Sequence, residues 1–312
     1  MLLQRKKVSP ALSEEAQLLY KSLKRLPQLD SFRNPVTRDI ARKIQNGEWA
    51  ETQKQLDFSY DLTAHPMGGV DGVRMLTKGF KADGPIILYL HAGGFVCGSP
   101  ESNAGAVLPL CDMTGGQAYG VRYALAPENP FPAAWNDATA YYKALLQEIP
   151  DNKRIIAVGD SAGGNLLLSS LVRWRDEGLR LPDKAVLISP VLDGSASSDT
   201  MLTVQRHDPL IQNKGGTSIS SLFRHYANGL DVTDPRVSPI NADLSGLPPL
   251  MIQVGSREVL LGDSARLSQR ALRAGNDVRL RVLDGMFHMF HLYWNLPETK
   301  AVYEDMSNFA LY

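Results

Sequence analysis

The residues best placed to do chemistry in this chain are Gly159-Asp160-Ser161-Ala162-Gly163. They lie between the apolar run Arg154-Ile155-Ile156-Ala157-Val158 and the helix-like run Asn165-Leu166-Leu167-Leu168. This is G-x-S-x-G in the strand–turn–helix setting of a nucleophile elbow. Such a turn stands a serine hydroxyl above a sheet, and larger side chains two positions to either side of the serine would collide with the neighbouring strand and helix. The helix that begins there aims its free N–H groups and positive dipole end at the reacting centre. A serine hydroxyl is a weak nucleophile near neutral pH, so it needs a base, and the base needs an acid to orient it.

Two later loops offer those partners. Gly255-Ser256-Arg257-Glu258-Val259-Leu260-Leu261-Gly262-Asp263 follows the apolar run ending at Val254 and carries two acids, Glu258 and Asp263. Asp284-Gly285-Met286-Phe287-His288-Met289-Phe290-His291 follows the last strand-like run and carries two imidazoles, His288 and His291. The oxyanion of an acyl-transfer transition state also needs donors. His91-Ala92-Gly93-Gly94-Phe95 follows the run Ile86–Leu90, and its glycines let backbone N–H groups approach a substrate oxygen. Gly93, Gly94 and Ala162, the residue after the nucleophile, are therefore the expected oxyanion hole. Phe95 is expected to line the substrate pocket because it follows those glycines. His288 and His291 stand at i, i+3, but no third metal ligand is evident, so neither metal nor cofactor is expected.

The elements that must position these groups are legible as texture. Ser9-Pro10 and Ser13, followed by Glu14 and Glu15, read as helix starts, with Leu18, Leu19, Leu23 and Leu26 at near-helical spacing. A second helical pattern runs from about Thr37 to Lys54, with Ile40, Ile44 and Trp49 as its apolar positions. From about Leu56 strands alternate with helices. Strand-like runs occur at 86–90, 118–121, 154–158, 185–188, 250–254 and 278–282, and helices are expected near 132–148, 162–176, 262–274 and 297–311. That alternation predicts an α/β fold with a mainly parallel central sheet flanked by helices. The stretch from Leu192 to Asn241 breaks the rhythm, and a structureless loop of that length is not expected inside a compact domain. It reads as helices, one of them over Thr217–Ala227, packed as a cap. The resulting division is a helical cap region at 1–55, a catalytic domain at 56–191 and 242–312, and a cap insertion at 192–241.

A formal net charge of zero and a sequence pI near 7.0 argue against nucleic acid or an anionic surface as partner and favour a small molecule. Charge at Arg5, Lys6 and Lys7 follows only two leucines, with no apolar core of a signal behind it. No run approaches the roughly 18 apolar residues that cross a bilayer, so no stable membrane insertion and a cytoplasmic location are expected. Cys97 and Cys111 read as small buried residues of a reducing compartment.

These motifs together carry a resemblance to the hormone-sensitive-lipase-like family of α/β-hydrolase carboxylesterases. The H-G-G-G tetrad of that family reads here His91-Ala92-Gly93-Gly94, with alanine for the first glycine. Its G-D-S-A-G-G matches Gly159 to Gly164, and a Y-R-L-A-P-E-like segment reads Tyr123-Ala124-Leu125-Ala126-Pro127-Glu128. The resemblance implies the α/β-hydrolase fold and a serine carboxylesterase acting on short- to medium-chain acyl esters. It implies Ser161 as nucleophile, His288 as base and Glu258 as acid, since Glu258-Val259-Leu260 falls where relatives often carry Asp-Pro-Leu. Asp263 is the alternative acid. His91 is expected to organise the oxyanion loop, and Asp160, Glu128 and Arg236 to hold structure. His207-Asp208 reads as a solvated surface pair. The partner is then a small ester, and a homodimer is one expected assembly. Two other functions share the pattern: an amidase, peptidase or lactonase on the same fold, and a non-enzymatic receptor using the capped pocket.

Overall fold

Unbroken apolar runs need a partner on each face, and three strands of this chain are buried at every residue: β3 (Ile86–Leu90), β5 (Ile155–Asp160) and β7 (Leu250–Gly255). With them lie β4 (Gln117–Val121), β6 (Lys184–Ile188) and β8 (Val278–Leu283). Two strands not singled out by the sequence pattern precede them, β1 (Tyr60–Ala64) and β2 (Gly72–Thr77). The computed structural model describes residues 12–23, 32, 34–211 and 217–312. The eight strands form one sheet in the order β1-β2-β4-β3-β5-β6-β7-β8. β1 and β2 pair antiparallel, as do β2 and β4, and every pairing from β4 to β8 is parallel.

The helices α4 (Ala133–Glu148), α5 (Ala162–Asp176), α8 (Leu261–Arg273) and α9 (Pro297–Leu311) fall where the sequence pattern puts them. A short α3 (Leu108–Thr114) was not foreseen. α5 packs on β5, β3 and β6, and α8 on β7 and β8.

Near the N-terminus, α1 (Glu14–Ser22) starts at Ser13, whose hydroxyl accepts from the Ala16 amide at 3.1 Å. α2 (Pro35–Thr52) follows, capped by Asn34. Of the expected apolar positions, Leu23 and Trp49 are buried, and others need correction. Leu18, Ile40 and Ile44 face outward, while Ala16 and Tyr20 of α1 and Ala41, Gln45 and Trp49 of α2 are buried. Hydrophobicity alone misassigned the face because the buried stripe of α2 includes a glutamine and an alanine. Leu26 and the Ser9-Pro10 start lie outside the described residues. In the stretch 192–241, α6 (Thr200–Thr203) and α7 (Thr217–Tyr226) are helical. Among the described residues no helix is long and apolar enough to cross a membrane.

Candidate active site

Ser161 sits at the β5–α5 junction with φ 53° and ψ −116°, a conformation that strains any residue with a Cβ. The surroundings enforce it. The Ser161 amide donates to the Ile188 carbonyl at 2.8 Å, and its carbonyl accepts from the Val191 amide at 3.2 Å. The following turn lies so close to β3 that a Cβ at Gly163 would stand 2.0 Å from the Leu90 carbonyl oxygen. Glycine there is a steric requirement of the elbow.

His288 reaches the serine from the loop after β8. Its Nε2 lies 3.0 Å from Ser161 Oγ, and its Nδ1 lies 2.9 Å from Glu258 Oε2. A carboxylate only accepts, so Nδ1 carries the proton and Nε2 is left to accept from the hydroxyl. Burial pulls the imidazole pKa down, but the hydrogen bond and charge of Glu258, with Asp208 and Asp160 beyond it, hold it above the ordinary value. Glu258 itself is fully buried after β7. Its Oε1 accepts from the Gly255 amide at 2.6 Å and the Ser189 hydroxyl at 2.8 Å, which leaves Oε2 for His288. Asp263 is also buried but does not reach the histidine. Its carboxylate accepts from the Leu192 and Asp193 amides at 2.8 and 3.2 Å, and burial raises its pKa to about 7.

The glycine loop after β3 faces the same space. Gly93 has φ 135°, and a Cβ there would stand 1.9 Å from the Cys97 carbonyl oxygen. Ala92, Gly93, Gly94, Ser161 and His288 line one cavity of about 90 Å³. Ala162 is the first residue of α5, where the N–H has no partner within the helix. His91 is buried below the loop, stacked on Tyr123 with ring centroids 4.1 Å apart, and burial lowers its pKa to about 4. It is therefore neutral near pH 7. α2 straps the loop from outside. Arg42 donates to the Val96 and Ala126 carbonyls and pairs with Glu128, which also pairs with Arg38. Cys97 and Cys111 are both buried free thiols, and burial pushes Cys97 up to about 12.

Two expected placements change. Phe95 does not line the cavity: at φ 63° its ring turns into the core and stacks on Tyr226 at 3.7 Å. Asp208 is fully buried instead of solvated. The second imidazole of the loop, His291, lies with its Nε2 3.1 Å from Asp160, whose other oxygen accepts from Tyr89. The rest of the cavity wall includes Cys97, Val191 and Met289, Phe32, Gln45 and Trp49 before the sheet, and Leu210, Ile211, Ile219 and Leu222 in the insertion. Sequence reasoning put those two segments over the pocket but named none of these residues as its lining. No local signal marks these residues, although the buried face of α2 could have pointed to Gln45 and Trp49.

A parallel sheet carrying a strained serine at one strand end, with an imidazole and a carboxylate from later loops, defines an enzyme of the α/β-hydrolase fold. Residues 87–292 match the family profile described as the alpha/beta hydrolase fold. An acetyl-hydrolase of Streptomyces hygroscopicus is 39% identical over 225 residues, covering 72% of this chain and 74% of that one. An esterase of Acinetobacter venetianus is 36% identical over 228 residues, covering 72% and 74%. The crystal structure of an esterase from the bacterial hormone-sensitive lipase family superposes with a TM-score of 0.86 at 32% identity, over 96% of this chain and 98% of that one. The chain belongs to the hormone-sensitive-lipase-like family of α/β-hydrolase carboxylesterases, and it is a carboxylic ester hydrolase.

Proposed function

We propose that this esterase hydrolyses short- to medium-chain acyl esters through Ser161, His288 and Glu258. The observation that carries the reading is the unbroken chain from Ser161 Oγ through both imidazole nitrogens to Glu258 Oε2, at 3.0 and 2.9 Å, opening into an apolar cavity. His288 Nε2 takes the serine proton as Oγ attacks the ester carbonyl. The N–H groups of Gly93, Gly94 and Ala162 hold the oxyanion. His288 then gives its proton to the departing alcohol, and it later activates the water that releases the acid from Ser161. Glu258 fixes the tautomer and balances the imidazolium. The segments 1–55 and 192–241 act as the cap, each supplying residues to the cavity wall over the serine.

A cavity of about 90 Å³ supports a short acyl chain. The crystal structure of a relative, 34% identical with a TM-score of 0.83, was soaked by p-nitrophenyl butyrate. Across p-nitrophenyl esters from acetate to palmitate, kcat/KM is expected to peak at or below hexanoate. It should be roughly 100-fold lower on palmitate, the scale on which misfit methylenes discriminate. A flat profile, or faster cleavage of a matched anilide than of the ester, would refute the reading and favour a lipase or an amidase.

Ser189 has a part in this arrangement. It is buried, holds φ 46°, and its hydroxyl is one of two donors on Glu258 Oε1. Ser189→Ala is expected to lower kcat about tenfold with KM within about twofold, the scale of one hydrogen bond to a charged acceptor. An unchanged kcat would mean the Gly255 amide holds the acid alone.

A further inference from the structure

The insertion carries a buried carboxylate that the mechanism above does not use. Three backbone N–H groups hold Asp208. Its Oδ1 accepts from Leu210 at 3.0 Å and Ile211 at 2.8 Å, and its Oδ2 accepts from Val259 at 3.1 Å. Leu210 and Ile211 line the cavity in front of Ser161, and Val259 directly follows Glu258. One side chain thus joins the cavity wall to the loop that carries the acid. α1 meets the same place, where the Tyr20 hydroxyl donates to the His207 carbonyl and the Tyr20 ring packs edge-on to Phe287, beside His288. A neutral acceptor would suffice for the two amides of the local turn. A full carboxylate, costly to bury, supplies a second oxygen and a charge.

We propose that Asp208 is a positioning residue of this esterase: its carboxylate fastens the Leu210–Ile211 wall to the Glu258 loop, and its charge favours the imidazolium that His288 becomes during the reaction. The proposal rests on the assignment of Ser161, His288 and Glu258 given above. The groups that act electrostatically on His288 are Glu258, Asp208 and Asp160, all of which raise its pKa against burial. Asp208 in turn feels His288 and Glu258, and it acts on the Tyr20 hydroxyl, over whose ring the Arg257 guanidinium lies. Burial raises the Asp208 pKa to about 6, against the pull of the His288 charge and the amide hydrogen bonds, so the carboxylate is ionised at pH 7 and above.

Ester attack needs neutral His288, so kcat/KM falls as pH drops through the raised histidine pKa, and the acid limb lies above the ordinary 6.5. Removing the Asp208 charge moves that limb to lower pH. The test is the pH dependence of kcat/KM on p-nitrophenyl butyrate for wild type, Asp208→Asn and Asp208→Ser. Serine serves should the asparagine variant fail to fold, because its hydroxyl can still accept from the Ile211 amide without charge. The expected result is an acid limb lower by about half a unit or more, the scale of one nearby charge, with a reduced plateau. A role confined to holding structure would lower the plateau and leave the limb in place, and that outcome overturns the proposal. Ser161→Ala run alongside separates the two readings. If it is inactive while the limb stays put, Asp208 alone is refuted. If it remains active, both assignments fall.

Discussion

Ser161→Ala is expected to lower kcat on p-nitrophenyl butyrate by on the order of 10⁶-fold, with KM within a few-fold of wild type. A loss of that size corresponds to about 8 kcal/mol of transition-state stabilisation. It follows from the chemistry: the other thiol or hydroxyl among the described cavity-lining residues is Cys97, which burial keeps protonated by pushing its pKa up to about 12, and without Oγ the proton held for His288 has no source. The fold should survive. Oγ bonds only His288 among the described contacts, and alanine meets the same backbone strain at φ 53° that serine already meets. Thermal unfolding within a few degrees of wild type, together with background hydrolysis, is therefore the expected pair of observations. Turnover above about 1% of wild type in a cleanly purified variant would refute Ser161 as the nucleophile, because loss of a serine nucleophile costs far more than a hundredfold.

Glu258 and Asp263 are two buried carboxylates that the sequence leaves in competition. Glu258→Gln is expected to lower kcat by about 10³- to 10⁴-fold, because an amide facing Nδ1 no longer fixes the tautomer or balances the imidazolium. Asp263→Asn should leave kcat within about threefold, since that carboxylate bonds the Leu192 and Asp193 amides and not the histidine. The Asp263 variant also differs from wild type in how stability follows pH. The folded-state pKa of Asp263 is raised to about 7 by burial, so protonation stabilises the fold at low pH and that contribution fades as pH rises through about 7. Asparagine cannot ionise, so Asp263→Asn should gain stability over wild type above pH 7, read as the difference in unfolding midpoint between pH 6 and pH 8.5. Equal loss of activity in both variants would mean that the acid is shared or misassigned.

Much of the fold was legible because its signals are local. The β3, β5 and β7 runs are apolar on both faces, and the four helices between and after the parallel strands fall within one or two residues of their expected ends. β1 and β2 were not singled out because they lie at the antiparallel margin, where β1 is half exposed and carries a mixed pattern. α2 misled for a related reason. Ile40 and Ile44 are its obvious apolar residues, yet the face toward the protein is Ala41, Gln45 and Trp49, chosen by what the glycine loop and cavity present to it.

The sequence by itself determined which serine the strand–helix turn presents and the order of its candidate partners. Gly159 and Gly163 around Ser161, the acid loop after one strand and the histidine loop after the next are written in residue type and spacing, since strain and periodicity act over a few residues. Tertiary structure decided the rest. It chose Glu258 over Asp263 as the contact of His288, because only its carboxylate ends 2.9 Å from Nδ1 once β7 and β8 pair. It turned Phe95 into the core, where Tyr226 waits 131 positions later, and it buried Asp208 by bringing Val259 to it across 51 positions. These outcomes depend on contacts between segments distant in the chain. Packing and electrostatics across such separations leave no periodic trace in the sequence, so only the assembled fold fixes them.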